Sequence, residues 1–411
     1  MKQSIITTYL LLLGANALWL SGCAYKSSRV TASTNVTHAA NLTTNVLDGR
    51  VDAYEAALDY FPDKVALRHA TQLKLEYHGH YKLVTFTPNV NGDTVRYVLV
   101  QRGTPVPALP DLHHPLTHVF EIPVERLSLG TMRYGGAADL LGVQERLSLV
   151  SGLRSITTPS ILANIKAGKT SEAYSTELQM DLNIDATMGY YSSRGEALAM
   201  LKDRELGLNR VGMAEHLEPT PLAKSEWLKF FALFFNREKI ANEKFDEIEH
   251  SYNETKAKVQ EKLTRVSYRP KVLVNYRSGG SWQVYGGLNA FAQLIADAGG
   301  DYLFKDLPYR HSLYEMPFEA AYDRGAEADV WIVGPDLSSQ FADGKPRFDE
   351  RLKKLKAAQN FFVSYNPTKE KRNPWWDQAL IQPHIELLDY VKAIHPELVP
   401  EHELKLLRQV K

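Results

Sequence analysis

Mostly apolar residues recur every three or four positions in an otherwise polar stretch from about Arg237 to Leu263. These positions are Ala241, Phe245, Ile248, Tyr252, Thr255, Val259 and Leu263. This spacing places one apolar stripe on one side of a helix, and Lys, Glu, Asp and Asn cover the other sides. A helix of roughly 27 residues is about 40 Å long, which is enough to cross from one domain to another. We therefore predict a helix that joins two units, within a hinge and linking segment of residues 221–264.

Alternating apolar and polar runs predict strands well before this helix. The runs LKLEYHGHYKLVTFTP and DTVRYVLVQRG are separated by Asn91-Gly92, a dipeptide typical of β-hairpins. We predict that residues 51–120 form an N-terminal β extension, with a hairpin appended to the first lobe.

Strand, glycine-bearing loop and helix alternate on both sides of the linking helix. VERLSL, LSLVSG and the end of STELQMDLNIDATMGYY predict strands before it, and KVLVNY and ADVWIVG predict strands after it. Strands at this spacing imply parallel sheets. The predicted fold is α/β, with Rossmann-like lobes at residues 121–220 and 265–411 joined by one long helix. The stretch RVGMAEHLEPTPLAK, around Thr220, is the predicted hinge.

The first 22 residues have the pattern of a targeting segment. Lys2 precedes an apolar run that is too short for a comfortable membrane span. Leu20-Ser21-Gly22-Cys23 resembles the lipobox of bacterial lipoproteins, which implies lipidation of Cys23, the single cysteine of the chain. Residues 23–50 are rich in Ser, Thr, Asn and Ala and predict a flexible tether. We expect a periplasmic protein with a lipid anchor, and Ala24 favours the inner leaflet of the outer membrane.

Composition narrows the class of protein. The 411 residues carry 48 basic and 48 acidic side chains, so the formal net charge is zero. Together with average apolar content, this balance indicates a globular chain that does not bind nucleic acid. We expect a monomer.

Three stretches of the second lobe resemble one protein family. They are KVLVNYRSGGSWQVYGGLNAFAQLIADAGGDYLF, FEAAYDRGAEADVWIVGPD and NPWWDQALIQPHIELLDYVKAIHPEL. They are similar to the class III substrate-binding proteins of ABC importers for iron-siderophores, haem and cobalamin. The first lobe departs from the family pattern, because Leu182-Asn183-Ile184-Asp185 replaces the usual Pro-Asp-hydrophobic strand entry.

The resemblance implies a receptor without enzymatic turnover and without a cofactor. It implies that a ferric siderophore, or another large metal chelate, is captured between the lobes and delivered to a permease and its ATPase. Cobalamin and haem are the alternative ligands. Lobe closure is expected to be small, because a helix hinges less readily than paired strands.

Large, often anionic and aromatic ligands call for arginines and aromatic rings on the loops that converge at the cleft. The predicted loops supply a set of such residues. Each of them could instead be a packed aromatic ring or a solvated arginine, and Trp282 in particular could be a core residue. The candidates are Arg133, Tyr134, Arg154, Tyr190, Tyr191, Arg194, Tyr276, Arg277, Trp282, Tyr285, Tyr309, Arg310, Trp375 and Trp376.

Docking to the permease requires one surface glutamate on each lobe, as the resemblance implies. Glu196 precedes a predicted helix of the first lobe, and Glu319 lies in PFEAAYDR of the second. Either carboxylate could instead only stabilise the N-terminus of a helix.

Other classes of function have weaker support. His78-Gly79-His80 and His113-His114 lie in the β extension, and we interpret them as surface histidines. We therefore predict no metal site. His216 and His311, near the predicted cleft, leave a zinc receptor as an alternative. An envelope enzyme is a further alternative, but the chain contains no Gly-x-Ser-x-Gly or His-Glu-x-x-His motif to support it. A structural outer-membrane lipoprotein without a ligand is the remaining alternative.

Overall fold

The computed structural model describes residues 42–87, 94–191, 194–265, 268–276, 281–309, 313–345 and 348–410, with the backbone alone for 194–198. The predicted signal peptide, Cys23 and the Asn91-Gly92 turn lie outside these residues. Within them, no helix is long and apolar enough to cross a membrane.

The N-terminal extension is a four-stranded sheet. Its strands are β1 (Leu73–His78), β2 (Tyr81–Phe86), β3 (Val95–Gln101) and β4 (Thr117–Ile122). The pairs β1–β2 and β2–β3 are antiparallel, and β3–β4 is parallel. The first alternating run forms two strands because the chain turns at Gly79, whose φ is +38°. The predicted hairpin is therefore part of a larger sheet.

The first lobe contains a parallel sheet in the order β6-β5-β7-β8. The strands are β5 (Leu127–Leu129), β6 (Leu147–Val150), β7 (Ala186–Tyr190) and β8 (Arg210–Met213). The helices are α1 (Gly135–Leu140), α2 (Pro159–Lys166), α3 (Thr176–Asp181) and α4 (Arg194–Glu205). The predicted hinge began too early, because its first residues form β8.

The hinge segment consists of two short helices and a long one. They are α5 (Pro221–Ser225), α6 (Trp227–Leu233) and α7 (Glu238–Leu263). The chain changes direction before α7 at Asn236, whose φ is +56°. Ala241 and Ile248 of α7 belong to the core of the first lobe, whereas Tyr252 and Val259 belong to the core of the second. The 26-residue helix α7 therefore joins the lobes, as its apolar stripe predicts.

The second lobe contains a sheet in the order β11-β9-β13-β14-β15, in which only β15 is antiparallel to its neighbour. A separate antiparallel pair is formed by β10 and β12. The strands are β9 (Lys271–Val274), β10 (Ser281–Tyr285), β11 (Asp301–Tyr302), β12 (Leu313–Pro317), β13 (Val330–Val333), β14 (Phe361–Val363) and β15 (Arg408–Gln409). The helices are α8 (Ala290–Asp297), α9 (Phe318–Gly325), α10 (Pro335–Ser338), α11 (Trp375–Gln378) and α12 (Pro383–Ile394).

Helix α11 packs against the first lobe. The buried carboxylate of Asp377 accepts hydrogen bonds from the backbone N–H groups of Thr157 and Thr158 at 2.7 and 2.8 Å, and from their hydroxyls at 2.6 and 2.8 Å. Leu380 and Ile381, just beyond α11, belong to the core of the first lobe. The lobes are thus connected by α7 and also by this seam.

Candidate functional site

A cavity open to solvent lies where the two lobes and the hinge segment meet. The space between its walls, including solvent at its mouth, is about 470 Å³. Its walls combine aromatic rings with two basic and two acidic side chains. The lining residues are Arg133, Glu215, Pro221, Lys224, Ser225, Ala290, Phe291, Leu294, Trp375, Trp376, Ala379, Leu380, Pro383 and Glu386.

Arg133 lies in the turn that follows β5 and reaches across to the second lobe. The central carbon of its guanidinium lies 5.2 and 5.3 Å from the ring centroids of Trp375 and Trp376, and 5.7 Å from that of Tyr190. Its Nη1 lies 3.4 Å from Oε1 of the buried Glu215. Burial alone would lower the pKa of Arg133, but Glu215 and Asp336 raise it above its usual value. Arg133 therefore stays charged and already has partners in this structure.

Glu215, just after β8, is held by the first lobe. The Tyr134 hydroxyl donates to its Oε2 at 2.9 Å, and the Tyr134 ring stacks on Phe231 at 5.4 Å. Burial and the nearby Glu215 raise the pKa of Tyr134 well above its usual value, so Tyr134 remains a neutral donor. Tyr134 thus positions the Glu215 carboxylate beside Arg133 and is itself buried.

Lys224 enters the cavity from α5. The Thr220 hydroxyl caps this helix by accepting from the Ala223 N–H at 3.1 Å. The Lys224 Nζ lies 4.9 Å from the ring centroid of Phe291 and 6.0 Å from that of Trp375. Burial, and then the positive charge of Arg133, lower the pKa of the Lys224 amine.

Trp375 is oriented by an acidic side chain of α12. Its Nε1 donates to Glu386 Oε1 at 2.7 Å. Burial raises the pKa of Glu386, and the charge of Lys224 opposes that rise. Phe291 stacks on Trp375 at 6.3 Å and on Tyr285 at 4.5 Å, and the Tyr285 hydroxyl donates to Asp336 at 3.0 Å. Tyr285 therefore supports the cavity wall without lining it.

Three of the predicted site residues lie in the core. Trp282 is fully buried, its Nε1 donates to the Val274 carbonyl at 2.8 Å, and Tyr276 packs edge-on against it at 5.4 Å. Tyr191 is fully buried and packs against Phe86. They follow or occupy strands as expected, but their side chains point into the core. We therefore correct the prediction and remove these three from the candidate site.

Other predicted residues lie away from the cavity or cannot be placed. Arg154 is exposed, and Tyr309 stacks on Tyr314 at 4.4 Å on the surface. Glu319 is exposed in the first turn of α9 and forms a two-pronged ion pair with Arg351. The side chains of Arg194 and Glu196, and all of Arg277 and Arg310, lie outside the described residues.

The cavity also contains functional candidates that sequence reasoning missed, namely Glu215, Lys224, Phe291 and Glu386. A signal for Lys224 existed: it is the only charged residue of the helix PLAKS, whose other four residues are buried. In the part of the chain that the structure describes, no three His, Cys, Asp or Glu side chains are grouped as a metal site.

Comparison with solved structures finds this fold in periplasmic binding proteins. A periplasmic binding protein from Veillonella parvula superposes with a TM-score of 0.51 at 14% identity, over 76% of this chain and 98% of that one. A protein of an ABC-type Fe³⁺-hydroxamate transport system from Saccharomonospora viridis gives 0.51 at 16% identity, over 75% and 98%. A possible iron-binding, periplasmic solute-binding protein from Staphylococcus epidermidis gives 0.50 at 16%, over 66% and 99%. The likeness confirms the predicted fold, that of class III periplasmic binding proteins, with two α/β lobes and one joining helix.

Sequence comparison finds relatives in Methanocaldococcus jannaschii. One uncharacterized lipoprotein is 29% identical over 223 residues, which are 53% of this chain and 50% of that protein. A second uncharacterized lipoprotein is 26% identical over 261 residues, which are 60% of this chain and 62% of that protein. The chain thus spans less than two thirds of either relative. No family model matches the chain.

Proposed function

We propose that this chain is the substrate-binding protein of an ABC importer and binds a ferric siderophore, or a related large metal chelate, between its lobes. The cavity carries the proposal, because aromatic rings and basic side chains from both lobes and the hinge segment meet there. Ligand sites of α/β proteins form where loops at the carboxyl ends of strands converge. In this role the chain has no turnover, since the permease and its ATPase perform transport.

The size of the cavity bears on how the ligand enters. The roughly 470 Å³ between the walls includes solvent at the mouth, so only part of this space is available to an enclosed ligand. A chelate larger than this space requires the lobes to separate where Arg133 meets Trp375 and Trp376. We expect this opening to be small, because α7 and the Asp377 seam both hold the lobes together.

Cobalamin is the second candidate, and the pairing of Arg133 with Glu215 favours it. A guanidinium that already faces a carboxylate attracts a highly anionic chelate less than a free one does. A bulky and less anionic corrin would instead use the faces of Phe291, Trp375 and Trp376. Haem, with two carboxylates, is the third candidate.

The anchor and the docking surface belong to the same proposal. We propose that Cys23 is lipidated and holds the chain on the periplasmic face of a membrane, with the outer membrane favoured by Ala24. Relatives named as lipoproteins support the anchor. Glu196 and Glu319 are proposed to pair with arginines of the permease.

Tryptophan fluorescence tests the ligand. Residues 24–411 would be titrated with a neutral ferric trihydroxamate, ferric citrate, cobalamin and haem, since Trp375 and Trp376 line the cavity. Saturable quenching by one of them at submicromolar concentration, weakened in Trp376→Ala and unchanged in Tyr309→Ala on the surface, is the expected result. If none of the four binds, the importer proposal is rejected, and a structural lipoprotein becomes the better interpretation.

A further inference from the structure

Lys224 is a half-buried cation without a polar partner in the described parts of the chain. Its amine makes no hydrogen bond and no ion pair with those residues, and its neighbours are the rings of Phe291 and Trp375. Taking an ammonium group out of water without a partner costs free energy. A protein retains such a group most readily where a bound ligand supplies the missing polar partner.

Two buried lysines, Lys229 of α6 and Lys82 of β2, show how this chain satisfies such groups. Lys229 donates to the Ala66 carbonyl at 2.9 Å and to Glu226 at 3.0 Å. Lys82 donates to the Leu233 carbonyl at 2.8 Å and forms an ion pair with Glu238. Lys224 differs from both, because its amine faces the cavity rather than a carbonyl or carboxylate.

The charges around the cavity leave Lys224 as the available cation. Arg133 is ion-paired with Glu215 and packed among aromatic rings. Glu386 accepts from Trp375. An anionic ligand group entering the cavity would therefore compete with Glu215 for Arg133, whereas no carboxylate of the described residues is hydrogen-bonded or ion-paired to the Lys224 amine.

We propose that Lys224, on the hinge segment, binds an anionic oxygen at the periphery of the ligand while Phe291 and Trp375 contact an adjoining apolar face. This inference rests on the importer function proposed above and adds the chemistry of the ligand. The ligand presents a carboxylate or similar anionic oxygen next to a flat apolar surface. Because α5 lies at the hinge, ligand bound to Lys224 would contact the segment that connects the lobes.

The test compares Lys224→Met and Lys224→Arg with Lys239→Met, an exposed lysine on α7. Each variant would be titrated with ferric citrate, haem and the neutral ferric trihydroxamate, and circular dichroism would check that it folds. A hydrogen bond to a charged group corresponds to about a 10- to 150-fold change in affinity. We expect Lys224→Met to lose affinity of that size for an anionic probe, Lys224→Arg to stay within about threefold, and Lys239→Met to match the wild type.

The pH dependence of binding provides a second readout. The charged groups that face the Lys224 amine are Arg133, Glu215, Asp336 and Glu386. Because its pKa is lowered, the amine loses its proton at a lower pH than an ordinary lysine, so affinity in the wild type should fall earlier as pH rises. This early fall should be absent in Lys224→Arg, whose guanidinium stays protonated.

The outcomes separate this inference from the importer proposal. If Lys224→Met binds an anionic probe as tightly as the wild type does, the proposed role of Lys224 is wrong and the importer function stands. The same conclusion follows if only the neutral trihydroxamate binds and no variant weakens its binding. If the wild type binds none of the probes, the importer function itself fails, and this role of Lys224 fails with it.

Discussion

Lys82 and Lys224 both place an amine inside the protein next to the hinge segment, but their surroundings differ. Lys82 is fully buried, pairs with Glu238 at the start of α7, and donates to Leu233 and Asn236 at 2.8 Å each. Lys224 has aromatic neighbours instead. The first amine is satisfied by the chain itself and joins the N-terminal sheet to the linking helix. The comparison teaches that the pairing of a buried charge, rather than its burial, distinguishes a structural group from a candidate ligand group.

Breaking the Lys82 pair should produce the largest effect. Lys82→Met leaves the buried Glu238 carboxylate without a cation and with neutral partners such as the Asn45 amide, at 2.8 Å. Removing one member of a buried ion pair typically costs about 3–5 kcal/mol. We expect the free energy of unfolding, measured by urea denaturation of residues 24–411, to fall by about that amount.

A double variant is the control for this prediction. Lys82→Met combined with Glu238→Met removes both charges, so much of the lost stability should return. A double variant as unstable as the single one would mean that packing at these positions, and not the unpaired charge, determines the loss.

The Asp377 seam should give the next largest effect. Asp377→Ala removes the acceptor of four hydrogen bonds from Thr157 and Thr158. Buried donors without partners cost about 1–3 kcal/mol, so we expect a loss of about 2–3 kcal/mol in urea denaturation. Asp377→Asn, which keeps an acceptor oxygen, should lose less. Equal losses in both variants would show that the charge, rather than the hydrogen bonds, stabilises the seam.

Removing the unpaired amine of Lys224 should increase the stability of the protein, whereas the two changes above decrease it. Lys224→Met should stabilise the ligand-free protein by on the order of 1 kcal/mol, because an apolar side chain fits the aromatic surroundings better. The lowered pKa of Lys224 means that folding disfavours its protonated form. This penalty is complete below the pKa of the folded state and declines as pH rises from there towards the ordinary pKa of lysine. The gain in Tm should therefore be larger at pH 6 than at pH 10.

Lys224→Met would contradict the comparison if it destabilised the ligand-free protein at pH 6. That result would mean that the amine contributes to folding as Lys82 does. Lys239→Met on the surface of α7 is the matched control and should leave Tm unchanged at both pH values.

The elements that sequence predicted well are those with a long repeat. The apolar positions from Ala241 to Leu263 recur every three or four residues over so many turns that only a helix can bury them on one side. Six of the seven predicted positions are buried. The parallel strands were likewise predictable from runs of apolar residues followed by glycine-bearing loops. Arg133, Trp375 and Trp376 follow from the same topology, because loops after parallel strands meet at one edge.

The parts that sequence did not predict depend on where single side chains point. Trp282 lies beside a loop predicted at the cleft, but strand alternation turns it onto Trp331, 5.4 Å away in the core. Lys224 lies in a helix of five residues, which is too short for periodicity to indicate its direction. Glu386 is one of two carboxylates on α12, and only its hydrogen bond with Trp375 and its place in the cavity lining distinguish it.

The exposed pair of Glu319 with Arg351 should show the smallest effect on the isolated protein. Exposed ion pairs add little to stability, since water and salt screen them. Glu319→Gln should therefore leave Tm and ligand affinity unchanged, yet lower ligand uptake through the permease if Glu319 docks there. Glu261→Gln is the matched control, because Glu261 is an exposed glutamate of α7 that pairs with Arg265, just beyond the helix. Equal uptake by both variants, in cells that depend on this receptor, would remove Glu319 from the docking surface. A lowered Tm for Glu319→Gln would instead mean that its pair with Arg351 stabilises the fold, as the pair of Lys82 with Glu238 does.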